Sequence, residues 1–154
     1  MKKSIRPYVI FILINLAAGS LVGWIASGAM QEYAAVQKSA LTPPSFVFPI
    51  VWTILYVLMG ISAALIYQSE SPKKAKALRI YAMQLIVNLV WSFLFFNLQM
   101  YGLSFFWLLL LWLLIIAMIA SFRTISPAAA ILQIPYLIWV SFAGYLAFFV
   151  WMMN

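Results

Sequence analysis

Four stretches of this chain carry no charged side chain: Pro7–Gln31, Ser39–Ser69, Ile80–Phe122 and Thr124–Asn154, of 25, 31, 43 and 31 residues. A helix needs about 20 apolar residues to cross the ~30 Å hydrocarbon core of a bilayer, so the longest stretch holds two crossings and each of the others one. Lipid offers backbone N–H and C=O groups no partner, which leaves helices and closed barrels as the spanning structures. These continuous apolar runs lack the in/out alternation of a barrel strand. The fold class expected is an all-α membrane protein, a five-transmembrane-helix bundle.

The helices are expected at about 7–27, 45–68, 74–98, 103–124 and 127–152, in a single domain covering 1–154. Gln99, Gly102 and Ser104 mark the turn inside the longest stretch. Pro7 after Arg6, Ser71-Pro72 and Ser126-Pro127 read as helix starts, because a proline's missing N–H costs nothing in the first turn and a serine hydroxyl can cap it. Only the connection over 28–44 is long, and it holds Gly28, Glu32, Lys38 and the pair Pro43-Pro44. A long loop on a compact bundle invites function.

Orientation follows from the cations. Lys2, Lys3, Arg6, Lys73, Lys74, Lys76, Arg79 and Arg123, eight of the nine, fall on the N-terminal side of the bundle, and only Lys38 falls on the other. The positive-inside rule then puts the N-terminus in the cytoplasm, with the long loop and the C-terminus outside, as suits a prokaryotic cell membrane. The Lys-Lys-apolar start, with Ala26-Ser27-Gly28, could also be read as a signal peptide, but its apolar stretch exceeds the usual 7–15 residues. Retention as the first helix is the preferred reading.

Missing residue types restrict the chemistry. There is no Cys, no His and no Asp, and the only acids are Glu32 and Glu70. Metal sites, nucleophilic triads and intramembrane proton relays lose their usual parts, so no metal and no cofactor is expected. The net charge of +7 does not indicate nucleic acid, because the basic residues border apolar runs instead of interleaving with polar ones. No long-period repeat is visible, and five helices do not divide into two inverted halves, which weighs against a transporter of that type.

Most aromatic residues read as interfacial belt or lipid-facing side chains: Trp24, Trp107, Trp112, Trp151, Tyr8, Tyr67 and Tyr101. A smaller set stands at helical spacing with polar groups: Trp52 with Tyr56, Asn88 with Trp91, and Tyr136 with Trp139. An amide at mid-helix should face the bundle, so Asn88 either bonds a neighbouring helix or contacts a ligand. Pro49 and Pro135 are expected inside helices, bending them beside Trp52 and Trp139 and opening space. A cavity lined by indoles and phenols with one amide suits a flat, largely apolar ligand. Gly19 and Gly23 form a GxxxG, with Ala143 and Gly144 small on the last helix. Packing within the monomer is preferred over a homodimer interface for these.

Three ordered motifs then resemble the TspO/MBR proteins, also called tryptophan-rich sensory proteins, translocator proteins or peripheral-type benzodiazepine receptors. They are Pro43-Pro44-x-x-x-Phe48-x-x-Val51-Trp52-x-x-Leu55-Tyr56-x-x-Met59-Gly60, Asn88-x-x-Trp91-Ser92-x-x-Phe95-Phe96, and Pro135-Tyr136-x-x-Trp139-x-x-Phe142-Ala143. The resemblance implies a membrane receptor or sensor binding porphyrins such as protoporphyrin IX, and isoquinoline carboxamide or benzodiazepine-type ligands, in a pocket beneath the first loop. Carried over by motif position, it places Trp52, Asn88, Trp91, Trp139 and Ala143 in the pocket, with Tyr33 and Ser45 aligned less directly and Phe48, Tyr56, Tyr136 and Phe142 as second choices. Some members degrade porphyrin in light, for which residues matching Trp52 and Trp139 are the catalytic candidates. A transporter or exporter of the same molecules is the alternative, and a scaffold for membrane proteins a further one.

The chain departs from that pattern in places. Ala147 stands where many members carry Asn, and the segment Ser39-Ala40-Leu41-Thr42-Pro43-Pro44 lacks the Trp often found before the double proline. No cation follows Arg123, so the cholesterol-recognition pattern at the end of helix 5 in animal members is absent. The match Leu65-x-Tyr67-x5-Lys73 is better read as a helix-end anchor.

Overall fold

The computed structural model describes residues 4–154, so Lys2 and Lys3 of the orientation argument lie outside the described residues. The described chain is helical throughout its regular structure: α1 (Arg6–Ser27), α2 (Met30–Ala35), α3 (Val47–Tyr67), α4 (Lys74–Ser92) continued by a π-helical turn over Phe93–Asn97, α5 (Tyr101–Arg123), α6 (Pro127–Ile131) and α7 (Ile134–Met153). Five segments are long and apolar enough to cross a membrane: Arg6–Ser27, Val47–Tyr67, Lys74–Asn97, Tyr101–Arg123 and Pro127–Met153. The protein is an integral, multi-pass helical membrane protein.

Short connections force neighbouring spans to run antiparallel, and cross-chain hydrogen bonds tie the loops at each end together. At one end the Ser4 backbone N–H donates to Gln68 Oε1 at 2.7 Å. At the other, Asn97 Nδ2 donates to the Ile25 carbonyl at 3.1 Å, and Asn154 pairs with Gln37 through both halves of its amide, each at 3.0 Å. Arg6, Lys73, Lys74, Lys76, Arg79 and Arg123 gather at the first end and Lys38 stands at the second.

Large apolar side chains cover the outside of the bundle, Leu13, Ile54, Phe106, Leu113 and Ile138 among them, as a hydrocarbon solvent allows. The interior is a column of Met59, Ile66, Leu111, Ile115, Met118, Phe122, Tyr136 and Val140. Close approach is bought with glycine where α1 crosses α3. A Cβ on Gly60 would lie 2.7 Å from backbone atoms of Ile12, and one on Gly19 would lie 2.5 Å from the Tyr56 ring. Gly23, the other half of the GxxxG, has nothing within 4 Å, so only Gly19 serves packing inside the monomer.

Three local expectations are corrected. Pro49 sits in the first turn of α3, and Pro135 follows Ile134 at the start of α7, so neither bends a helix from within. The last span is instead broken at Leu132–Gln133, where a turn separates α6 from α7, because Pro135 has no N–H to continue the ladder. Ser71-Pro72 precedes α4 by a separate turn, in which Ser71 Oγ accepts from the Lys73 N–H at 3.1 Å. Ser126 does cap its helix, accepting from the Ala129 N–H at 3.3 Å with Pro127 in the first turn. Gln99 makes the turn between the third and fourth spans with φ 53°, a left-handed conformation.

Gly60→Ala is expected to lower the unfolding midpoint in detergent by an amount equivalent to about 1–3 kcal/mol, since the clash is with rigid backbone. Gly23→Ala should stay within about 0.5 kcal/mol of the parent. Equal melting of the two variants would refute the tight α1–α3 crossing.

Candidate functional site

The site is built one helical turn at a time. Asn88 on α4 is 3% exposed and bonds two other spans at once. Its Oδ1 accepts from the Tyr56 hydroxyl at 2.9 Å, and its Nδ2 donates to the Tyr136 hydroxyl at 2.6 Å. The hydroxyl of Tyr136, fully buried, donates in turn to Gln84 Oε1 at 2.7 Å. Gln84 lies one turn before Asn88 on the same face of α4, and its Nε2 approaches Met59 Sδ at 3.9 Å. Both open roles of the sequence analysis thus begin from one fact: the Asn88 amide is an interhelical bond among α3, α4 and α7. Its geometry also forms a polar floor.

One turn from that floor, toward the end carrying the long loop, stand three half-buried indoles. Trp52 stacks on Tyr56 with centroids 5.7 Å apart and meets the edge of Tyr136 at 6.3 Å. Trp91 stacks on Phe95 at 5.2 Å. Trp139 packs edge-on to Phe48 and Phe142, each at 5.8 Å. The indole N–H groups of Trp91 and Trp139 are buried and have no hydrogen-bond partner among the described residues. Buried donors of this kind normally find a partner, which makes them natural contacts for an acceptor on a bound molecule.

The long loop supplies the roof, and part of it is a short helix the sequence analysis did not foresee, α2. Tyr33 on α2 packs edge-on to Phe95 at 5.6 Å and Phe96 at 5.1 Å. The π-helical turn allows this contact, because a wider turn brings both Phe95 and Phe96 against Tyr33 and Trp91. Burial, and secondarily the nearby Tyr101 phenol, raise the Tyr33 pKa above its ordinary value, so its hydroxyl stays a neutral donor. Lys38 folds back on α2. Its Nζ donates to the carbonyls of Tyr33, Ala34 and Val36 at 2.9, 3.2 and 3.2 Å and lies 4.8 Å from the Tyr33 ring centroid. Ser39 and Tyr145 share a hydrogen bond of 2.8 Å that fastens the loop to α7.

The residues singled out from the sequence fall into three groups by these contacts: Trp52 with Tyr56, Asn88 and Tyr136, Trp91 with Tyr33 through Phe95 and Phe96, and Trp139 with Phe48 and Phe142. Ala143 is half-buried beside the same face of α7 and packs on the core. Ser45 is exposed on the loop. Two tryptophans read as belt or lipid-facing residues have interhelical roles: Trp107 Nε1 donates to the Val87 carbonyl at 2.8 Å and Trp112 Nε1 to Ser141 Oγ at 2.9 Å. Gln84 was missed, although its i,i+4 spacing from Asn88 was a usable signal. Asn15 with Tyr81 and Gln133 with Ser62 make further buried polar pairs that no short motif advertises.

Tyr136 is the hub, holding two amides, whereas Tyr56 holds one. Tyr136→Phe is expected to cost about 2–3 kcal/mol and Tyr56→Phe about 1 kcal/mol, since the first strands a buried donor and a buried acceptor while the second leaves one acceptor short. Denaturation in mixed micelles measures both, and the reverse order would exclude Tyr136 as the hub.

Comparison with known proteins places the chain in a family. The family model for the TspO/MBR family matches residues 11–152. The tryptophan-rich protein TspO of Chlorobaculum tepidum is 34% identical, covering 100% of this chain and 99% of its own length. Protein CrtK of Rhodobacter capsulatus is 32% identical over 98% of this chain and 94% of its own. The translocator protein of Ovis aries is 34% identical over 96% and 90% respectively. With the family match nearly end to end and relatives above 30% identity along almost their whole length, the chain belongs to the TspO/MBR family.

Proposed function

We propose that this protein is a membrane receptor or sensor for porphyrins, protoporphyrin IX above all, and for planar drug-like molecules of the isoquinoline carboxamide and benzodiazepine type. The observation that carries the reading is the placement of Trp52, Trp91 and Trp139, half-buried indoles from three spans, one turn above a single polar floor and under a stapled loop. Two of them hold buried N–H donors without a partner among the described residues. Flat apolar ligands gain area by stacking on such rings, and a few fixed donors set their orientation. The floor of Tyr56, Asn88, Tyr136 and Gln84 limits how deep a ligand reaches, because its hydroxyls and amides already bond one another.

In this reading the end carrying Arg6, Lys73, Lys74, Lys76, Arg79 and Arg123 faces the cytoplasm and the loop faces outward, in a prokaryotic cell membrane. The partners are the planar ligand and the bilayer.

Light-dependent breakdown of bound porphyrin is a second activity of the same site. Trp52 and Trp139 are its candidates, because an indole can donate an electron to a photoexcited ring and both border the proposed ligand.

Titration of the purified protein with protoporphyrin IX in the dark should quench tryptophan emission to a one-to-one end point. Trp139→Phe should weaken binding about tenfold, and the absence of saturable quenching in the parent would reject the assignment. Under illumination with oxygen, unchanged bleaching in both Trp52→Phe and Trp139→Phe, with binding retained, would exclude indole chemistry.

A further inference from the structure

A groove of about 480 Å³ opens on the outside of the bundle between α3 and α7, lined by residues of both helices that include Val51, Ile54, Leu55, Ile138, Trp139 and Phe142. Its rim is bare: Ile54 is 54% and Ile138 64% exposed. Its inner wall is Leu55, 3% exposed, and Trp139. Its α7 wall begins at Ile134, where the last span restarts after the turn at Leu132–Gln133.

Depth decides what can reach it. Ile54 lies seven residues into α3, which at 1.5 Å per residue is about 10 Å below that end of the span. Ile134 lies seven residues into the last span from the opposite end, again about 10 Å. The groove therefore faces the hydrocarbon interior of the bilayer and is out of reach of solutes in water.

Trp139 belongs both to this groove and to the ring cluster with Phe48 and Phe142, and its buried N–H has no partner among the described residues. The alternative way in, through the loop, is fastened to the last span at two points: Gln37 to Asn154 by two bonds of 3.0 Å, and Ser39 to Tyr145 at 2.8 Å.

We propose that the groove between α3 and α7 is a lateral portal, through which a planar apolar ligand dissolved in the bilayer passes Trp139 to reach the site while the loop stays shut. This rests on the receptor reading given above. Trp139 acts as the inner door, and Ile54 and Ile138 set the width of the opening. Their enlargement should slow the ligand's passage in both directions without changing its affinity, because neither residue belongs to the site itself.

The experiment uses full-length protein in liposomes with protoporphyrin IX as probe and stopped-flow tryptophan quenching as readout. Ile54→Phe and Ile138→Phe, separately and together, are expected to lower association and dissociation rates by similar factors, about five- to tenfold for the pair, at unchanged equilibrium affinity. Asn154→Ala with Tyr145→Phe, which unfastens the loop, is expected to leave both rates within twofold. Faster exchange on unfastening the loop, with no effect of the groove variants, would overturn the portal.

A second measurement needs no ligand. Lipids brominated at the middle of the acyl chain should quench the emission that distinguishes the parent from Trp139→Phe, and Ile138→Phe should relieve that quenching. Its absence would close the portal whether or not porphyrin binds. Saturable mid-chain quenching without any porphyrin binding would instead remove the receptor reading and leave an acyl-chain groove.

Discussion

One amide holds the architecture together. Asn88 sits where hydrocarbon surrounds the bundle, and its oxygen and nitrogen are taken by phenols from two other spans. In lipid there is no hydrophobic force to pull apolar helices together, so packing and buried polar bonds must specify which faces meet. The chain Tyr56–Asn88–Tyr136–Gln84 does this for α3, α4 and α7. It fixes the rotation of each helix, and with it the direction of the tryptophan one turn further along. The placement of Trp52, Trp91 and Trp139 at one level of the bundle thus follows from the polar floor.

The same logic recurs at smaller scale through the interior. Gln133 Nε2 reaches Ser62 Oγ at 2.6 Å, and Ser62 in turn donates to the Ala129 carbonyl at 3.0 Å. This bridge stands at the break between α6 and α7 and answers the polar groups that a broken helix exposes. Asn15 Nδ2 bonds the Tyr81 hydroxyl and so registers α1, otherwise the most lipid-exposed span, against α4. Glycine does the complementary work at Gly60, letting the α1 and α3 backbones touch.

The spans were legible because charge is absent over long windows and lipid permits few alternatives. The observed segment Lys74–Asn97 against an expected 74–98, and Pro127–Met153 against 127–152, show how tightly a bilayer constrains length. The aromatic and amide residues of the site were legible because helical spacing put Trp52 with Tyr56 and Asn88 with Trp91 on common faces. What was hidden depends on long-range geometry. Helix α2 has six residues, too few for a periodic pattern, and is held by Lys38 and by contacts to distant rings. The roles of Pro49 and Pro135 were misplaced because a proline marks equally a kink or a start, and only the break at Leu132–Gln133 shows which. The π-helical turn over Phe93–Asn97 leaves no mark in composition.

Asn15, Ser62, Gln84, Asn88, Ser104 and Gln133, the polar side chains buried in the bundle, are amides and hydroxyls. With no histidine in the sequence and no acid or base among these interior groups, neither an electric field across the bilayer nor a difference in acidity between its two sides has a charge to grip within the core. A bundle held by neutral hydrogen bonds in this way offers the energised state of the membrane nothing to act on within its core.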